Sequence, residues 1–471
     1  LKIIHVAGEF AGLAHSGGLG EVLAGLPRAQ AAQGARVRVV LPGYRQAVDA
    51  LGAAPQPGPL VSMPFGDAAF SRHEGEIHGV PVTLLSENAW FDRPHLYGPP
   101  GGAYPDNPIR FSAFARAAAA LLAADPPDIV HIHDWHAGLV APLVLAQGAA
   151  RPRIVVTIHN LAYQGAFPEA GFHLTGLPPH MAAMDGVLHW GAVNPLKAGI
   201  QHADAVTTVS PTYAQEIQAD AHGFGLAPLL RWRAGDLTGI VNGVDTEGEA
   251  PAETGRSQRK VALAKELRLD PTRRPLFAVV SRLTDQKGLD LFAQAIASAL
   301  QRGACAAVVG TGDASLVDEF NRLAAAHPGT FAFVHGFDVS LAERVFQAAD
   351  VVCVPSRFEP CGMTQLHAMR AGALPLVRST GGLRDTVADV ADGGVGFVFE
   401  DASTEALRHA LERAISFFED PDAVAAARVR ARARPVDWAA PAARYLKLYA
   451  SLLPTGRAIA KSSGRVGGAE A

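Results

Sequence analysis

Several polar side chains in this sequence have the types and spacing that chemistry needs. His131-Ile-His133-Asp134-Trp-His136 crowds three imidazoles around a carboxylate, and His159-Asn160 follows in the next segment. Such a group could bind a divalent metal or accept hydrogen bonds from hydroxyls. Metallo-hydrolases that use His-x-His-x-Asp-His place the aspartate one residue later than here. On a strand, His131 and His133 share a face, whereas His136 falls beyond the strand end. The spacing therefore favours Asp134 as an acceptor for ligand hydroxyls, with the histidines packed or locally bonded and no metal. Asp420-Pro-Asp422 is the one Asp-x-Asp, late in the chain and not behind a strand.

The second half offers charge instead. Arg282 and Lys287 follow a strand and precede a helix. Cations there oppose the helix dipole by a few tenths to about 1 kcal/mol, a cost that an anion between them would reverse. An arginine fork and a lysine point charge suit a diphosphate. Glu359 stands at another strand end before Pro360. Three glycine loops also sit at strand ends: His15-Ser-Gly17-Gly18-Leu-Gly20, Gly310-Thr-Gly312, and Cys361-Gly362-Met-Thr364. Glycine lets backbone N–H groups approach a phosphate closely. His159 is joined by Asn160, Tyr163 and Gln164, short polar and aromatic groups of the kind that recognise sugars.

Positioning all these residues requires parallel sheets. Buried β-branched runs recur at Lys2–Val6, Val37–Leu41, Val82–Leu85, Ile129–Ile132, Ile154–Ile158 and Ala205–Val209. A second set follows at Leu276–Val280, Ala304–Val309, Phe331–Val334, Val351–Val354 and Val395–Phe399. Helical stripes such as Leu289, Phe292, Ile296 and Leu300 lie between them. The alternation predicts an α/β protein of two doubly wound, Rossmann-like domains facing across a cleft, with ligands beyond the carboxyl ends of the strands. The boundaries read as residues 1–244, a polar linker with a short helix over 245–272, a second domain over 273–435, a terminal helix over 436–454, and a small polar tail over 455–471.

Composition narrows the function. The 471 residues are 49% apolar, enough for large cores. With 41 basic and 45 acidic residues, the formal charge of −4 argues against a nucleic-acid binder. Three cysteines cannot form a disulfide framework, and the first residues enter a strand with no signal-peptide pattern. The most apolar windows are too short to span a membrane. The expectation is a cytoplasmic enzyme without a membrane anchor.

Longer motifs carry a resemblance that covers about Lys2 to Leu453. They are the runs that begin His131-Ile-His-Asp-Trp-His-Ala-Gly, Thr157-Ile-His-Asn-Leu-Ala-Tyr-Gln-Gly, Val280-Ser-Arg-Leu-Thr-Asp-Gln-Lys-Gly and Val354-Pro-Ser-Arg-Phe-Glu-Pro-Cys-Gly-Met-Thr. With these the sequence resembles the ADP-glucose-type bacterial glycogen synthases, relatives of plant starch synthases. The resemblance implies the GT-B glycosyltransferase fold, with a last helix crossing back to the first domain. It implies retaining transfer of glucose from ADP-glucose to the non-reducing-end 4-hydroxyl of an α-1,4-glucan such as glycogen, with no cofactor. Arg282 and Lys287 would hold the diphosphate, Glu359 the glucose hydroxyls, and His159 would lie against the glucose. His15, Gly17, Gly18, Asp134, Gly310, Cys361, Gly362 and Thr364 would bind the donor, with Phe337 against the adenine. Glu9, Asn160 and Tyr163 would match the acceptor side.

The chain departs from the family pattern in carrying His15 where Lys-x-Gly-Gly-Leu has its lysine, and Glu21 where an aspartate is usual. The alternatives are a same-fold transferase using UDP-glucose or another acceptor, a weakened glucan-binding paralogue, and a metal-dependent hydrolase.

Overall fold

The structure is a computed structural model that describes residues 1–99, 101–148, 151–246, 255–336 and 338–454. Phe337, residues 247–254 of the expected linker and the expected tail lie outside the described residues.

The first lobe is built on a nine-stranded sheet. Its parallel part runs, in spatial order, Leu237–Gly239, Ala205–Thr208, Arg153–Ile158, Ile129–His133, Lys2–Val6, Arg36–Pro42 and Val80–Ser86. The expected strands are all there, and each is buried along most of its length, as strands covered on both faces must be. Three strands of this sheet were not expected, one of them the edge strand Leu237–Gly239. Gln56–Met63 and Gly66–Ile77 extend the sheet as an antiparallel edge hairpin. The second lobe is a six-stranded parallel sheet ordered Phe331–His335, Cys305–Gly310, Leu276–Val280, Val351–Val354, Leu374–Arg378 and Phe397–Phe399.

Both sheets reverse their winding once. In the first, the chain builds outward from Lys2–Val6 through Arg36–Pro42, then returns to lay Ile129–His133 on the opposite side. In the second, Leu276–Val280 has Cys305–Gly310 on one side and Val351–Val354 on the other. A crevice opens at the carboxyl ends where such a reversal occurs. The sequence brings Glu9, the His15–Gly20 loop and His133-Asp134 to the first crevice, and Ser281–Lys287 and Pro355–Glu359 to the second.

The connection between lobes differs from the expected linker. The short helix covers Arg256–Glu266. Leu263, Ala264 and Leu269 join a second-lobe core with Leu276 and Val352, so this segment packs as part of that lobe. The chain crosses back at Val436–Trp438. Val244 N–H donates to the Val436 carbonyl at 2.7 Å, and a Cβ on Gly243 would strike the Asp437–Trp438 backbone. The final helix, Ala439–Leu452, then sends Ala442, Tyr445 and Tyr449 into the first-lobe core. No helix among the described residues is long and apolar enough to cross a membrane.

Candidate active site

At the first crevice, the Gly18–Ala32 helix starts directly on the glycine loop. Gly17 precedes it in extended conformation with no side-chain cap. A Cβ on Gly17 would meet open space, whereas one on Gly20 would collide with His15. First-turn N–H groups without a cap, on a helix of this length, favour an anion. Glu9 braces this loop. One carboxylate oxygen accepts from Ser16 N–H at 2.7 Å, and the other accepts from the Ser16 and Tyr97 hydroxyls at 2.8 Å each. Glu9 was expected to face an acceptor, and in this structure its oxygens accept from Ser16 and Tyr97.

Asp134 opens a short helix at φ 53°, a left-handed conformation that strains a non-glycine residue. The turn aims its carboxylate at the neighbouring strand end. There Asp134 Oδ1 accepts from the His159 N–H at 2.7 Å. Burial pushes the Asp134 carboxyl up to about 7. It therefore holds the His159 backbone in place, a role that sequence alone did not suggest. The half-buried His159 ring stacks on His133 with centroids 5.2 Å apart, and burial lowers its pKa to about 3. Asn160 Oδ1 caps the Ala162 N–H, and its amide reaches Gln286 of the second lobe at 3.4 Å. Tyr163 is exposed.

The apparent His131–His136 cluster divides. His136 packs among Tyr97, Phe111 and Trp135. His5 takes its place, and the ligand atoms of His5, His131 and His133 lie within 4.8 Å of one another. All six of their ring nitrogens already have hydrogen-bond partners. Asp420 of the Asp-x-Asp caps a helix through the Asp422 and Ala423 N–H groups.

At the second crevice, Arg282 is exposed and Lys287 half-buried in the turn before the Leu289–Gln301 helix. The Lys287 ammonium pairs with buried Glu359 at 2.6 Å, and the Ser356 hydroxyl donates to the same Glu359 oxygen at 2.8 Å. Two residues expected to hold different parts of a ligand thus hold each other in this structure. Gly310 and Gly312 allow two strand-end loops to lie side by side. A Cβ on either would enter the Ser281 or Leu283 carbonyl, and Leu283 exchanges backbone hydrogen bonds with Thr311 and Asp313. Cys361 is buried, its thiol pushed up to about 12, and Gly362 turns at φ 74° into the Thr364–Ala371 helix.

The Glu359 loop rests on Gly381-Gly382, which sequence reasoning missed. The Gly382 N–H donates to the Glu359 carbonyl at 3.1 Å. The available signal was the repeat of Ser16-Gly-Gly-Leu19 as Thr380-Gly-Gly-Leu383.

The lobes touch along the rim of the cleft. Thr212 donates to Asp385 from its hydroxyl at 2.6 Å, Glu216 accepts from Gly381 N–H at 3.0 Å, and His367 meets Glu21 at 3.1 Å. Met363 lies 3.6 Å from where a Gly18 Cβ would be.

With this geometry the chain can be compared with known proteins. Residues 2–232 match the family model of the starch synthase catalytic domain, and residues 264–432 match that of glycosyl transferases group 1. The glycogen synthase of Paracoccus denitrificans is 41% identical over 470 residues, covering 96% of this chain and 99% of that protein. The chain belongs to the glycogen and starch synthase family of glycosyltransferases. Another member, the glycogen synthase of Edwardsiella ictaluri, is also 41% identical over 96% of this chain and all of its own length. The catalytic domain of starch synthase IV from Arabidopsis thaliana, solved bound to ADP and acarbose, superposes with a TM-score of 0.88 at 32% identity, covering 96% of this chain and 99% of that one. Sucrose-phosphate synthase from Thermosynechococcus elongatus shares the fold, with a TM-score of 0.63 at 19% identity. The GT-B architecture of two Rossmann-like domains is therefore that of the family.

Proposed function

We propose that this glycosyltransferase moves glucose from ADP-glucose to the non-reducing-end 4-hydroxyl of an α-1,4-glucan, with retention. The observation that carries the reading is the opposition of the two crevices. The Lys287–Glu359 pair stands on one side and the Asp134–His159 loop on the other, bridged by Asn160 and Gln286. That opposition suits a ligand with an anionic half and a hydroxyl-rich half. A relative that is 32% identical was solved bound to ADP and acarbose, which is in keeping with a nucleotide-linked donor.

Arg282 and Lys287 hold the diphosphate and offset the charge that grows as it leaves. The anomeric C–O bond breaks, its electron pair departs on the phosphate, and the acceptor oxygen bonds the same face of C1 and gives its proton to the departing phosphate oxygen. Glu359 orients the glucose hydroxyls, and the His159 carbonyl, fixed through Asp134, lies near C1. His15, Gly17, Gly18, Gly310, Cys361, Gly362 and Thr364 bound the donor. Glu9, through the loop it braces, acts with Asn160 and Tyr163 toward the glucan. Contacts along the rim exclude water that would hydrolyse the donor.

The test is nucleotide release with glycogen as acceptor, run with ADP-glucose and with UDP-glucose. Faster turnover of ADP-glucose is expected. His15 in place of the family lysine favours a second reading, a uridine donor, which faster UDP-glucose turnover would select. Glycogen binding with no release from either donor would sink both.

A further inference from the structure

Behind the cleft, deep in the first lobe, lies a line of polar side chains of which the transfer reaction uses only His159. His159 Nε2 meets His133 Nδ1 at 2.9 Å, His133 Nε2 meets His5 Nδ1 at 2.9 Å, and His5 Nε2 meets Gln30 Oε1 at 2.8 Å. The Gln30 amide continues to the Tyr449 hydroxyl at 3.2 Å, and Tyr449 to His131 Nδ1 at 2.7 Å. His131 Nε2 then meets the Thr157 hydroxyl at 2.5 Å, Thr157 meets Thr207 at 2.6 Å, and Thr207 donates to the Val156 carbonyl at 3.2 Å. His5, Gln30, His131, His133, Thr157 and Tyr449 are all fully buried. Tyr449 belongs to the terminal helix, which reaches this lobe only after the chain has passed through the other one.

Only one direction of the protons fills every contact of this line. Burial pushes the His5 pKa down to about 4 and those of His131 and His133 well below the usual range, so each imidazole carries one N–H and one lone pair. The Val156 carbonyl can only accept. Thr207 therefore donates to it, Thr157 donates to Thr207, and His131 Nε2–H donates to Thr157. Tyr449 then donates to His131 and must accept from the Gln30 NH2, which turns the Gln30 oxygen toward His5. His5 Nε2–H fills that oxygen, His133 Nε2–H donates to His5, and His159 Nε2–H donates to His133. In the reverse direction, either the Thr157–Thr207 contact or the Thr207–Val156 contact would hold no proton. The Tyr445 hydroxyl beside both threonines can donate to either without altering that count.

We propose that this relay fixes His159 as the Nε2–H tautomer and makes Nδ1 a hydrogen-bond acceptor, so that the position takes a hydroxyl group and rejects a phosphate oxygen. Tyr449, Gln30, His5 and His133 are positioning residues, and through Tyr449 the docking of the terminal helix sets the polarity of a cleft residue. No described residue bonds Nδ1, and the ring is half-buried, as an acceptor for an arriving ligand requires. The consequence for the sugar rests on the transferase reading above; the tautomer does not.

The experiment is 15N NMR of the imidazoles in the full, ligand-free chain with labelled histidine, paired with kinetics. His5, His133 and His159 are expected to carry their proton on Nε2. In Tyr449→Phe and Gln30→Met, His159 should populate both tautomers. KM for the nucleotide sugar should rise roughly three- to tenfold, the scale of one neutral hydrogen bond, with kcat changed by less than about twofold. A parent His159 protonated on Nδ1, or a tautomer untouched in both variants, would overturn the relay. Should neither variant fold, the parent spectrum alone decides. An inactive protein with the expected spectrum would remove the transferase reading and leave the relay standing.

Discussion

The two crevices face one another but are built from opposite materials. Around His159 the first lobe places neutral, buried hydrogen-bonding groups: a carboxyl pushed up to about 7 and a row of imidazoles whose pKa values burial drives down. The second lobe places Arg282, Lys287 and Glu359. Neutral acceptors recognise hydroxyls, and fixed charges act on charge that develops during a reaction. On the proposed reading, the contrast would let one lobe sort the sugar while the other manages the leaving group. In this structure Lys287 and Glu359 neutralise each other, so the diphosphate of the proposed donor would have to compete for that lysine.

The strongest way to break the contrast is Lys287→Ala. It removes charge stabilisation and leaves Glu359 buried without its cation, and kcat should fall by about 10²–10³, the scale of one lost oxyanion donor. Glu359→Gln should cost about ten- to a hundredfold in kcat/KM, because a charge-assisted contact is worth roughly 1.5–3 kcal/mol. A loss no larger than that of a surface substitution in either steady-state assay would mean the second lobe does not carry the chemistry.

The first lobe should answer to pH rather than to charge removal. Burial lowers the folded pKa of His5 from 6.5 to about 4, so the unfolded chain binds the extra proton. The stabilisation is present above about 6.5 and is lost as pH falls toward 4, by about 1.4 kcal/mol per pH unit for each such histidine. Asp134 runs the other way. Its folded pKa is raised from 3.8 to about 7, so its contribution is present below about 3.8 and is lost as pH rises through 7. Urea midpoints across this range should show Asp134→Asn gaining on the parent between pH 4 and 7. A difference that stays flat with pH would contradict a buried, protonated Asp134. The smallest effect is expected from His15→Lys, a few-fold lower donor KM measured by initial rates.

Much of this was legible because parallel strands announce themselves. Runs such as Ile129–His133 and Val351–Val354 are apolar and β-branched, and the polar residues that follow them land at crevice rims by topology alone. The edge hairpin was hidden because Gln56-Pro-Gly-Pro reads as a turn, although Gly58 is there to let the strand pass the Phe70 carbonyl. Leu374–Arg378 was hidden by Pro375, which argues against an interior strand. The Lys287–Glu359 pair and the line from His159 to Tyr449 join residues distant in the chain, and no local spacing signals them. Asp134 was legible as a polar residue at a strand end, but its hydrogen bond to the His159 N–H follows from a left-handed turn that no residue type announces.

The most direct measurement is calorimetric titration of ADP into the parent, Lys287→Ala and His159→Ala. If the lobes divide the ligand as argued, Lys287→Ala weakens ADP binding at least about tenfold, as loss of a charge-assisted contact should, while His159→Ala leaves it within about twofold. Equal weakening by both substitutions, or loss only in His159→Ala, would contradict the division on which the whole account depends.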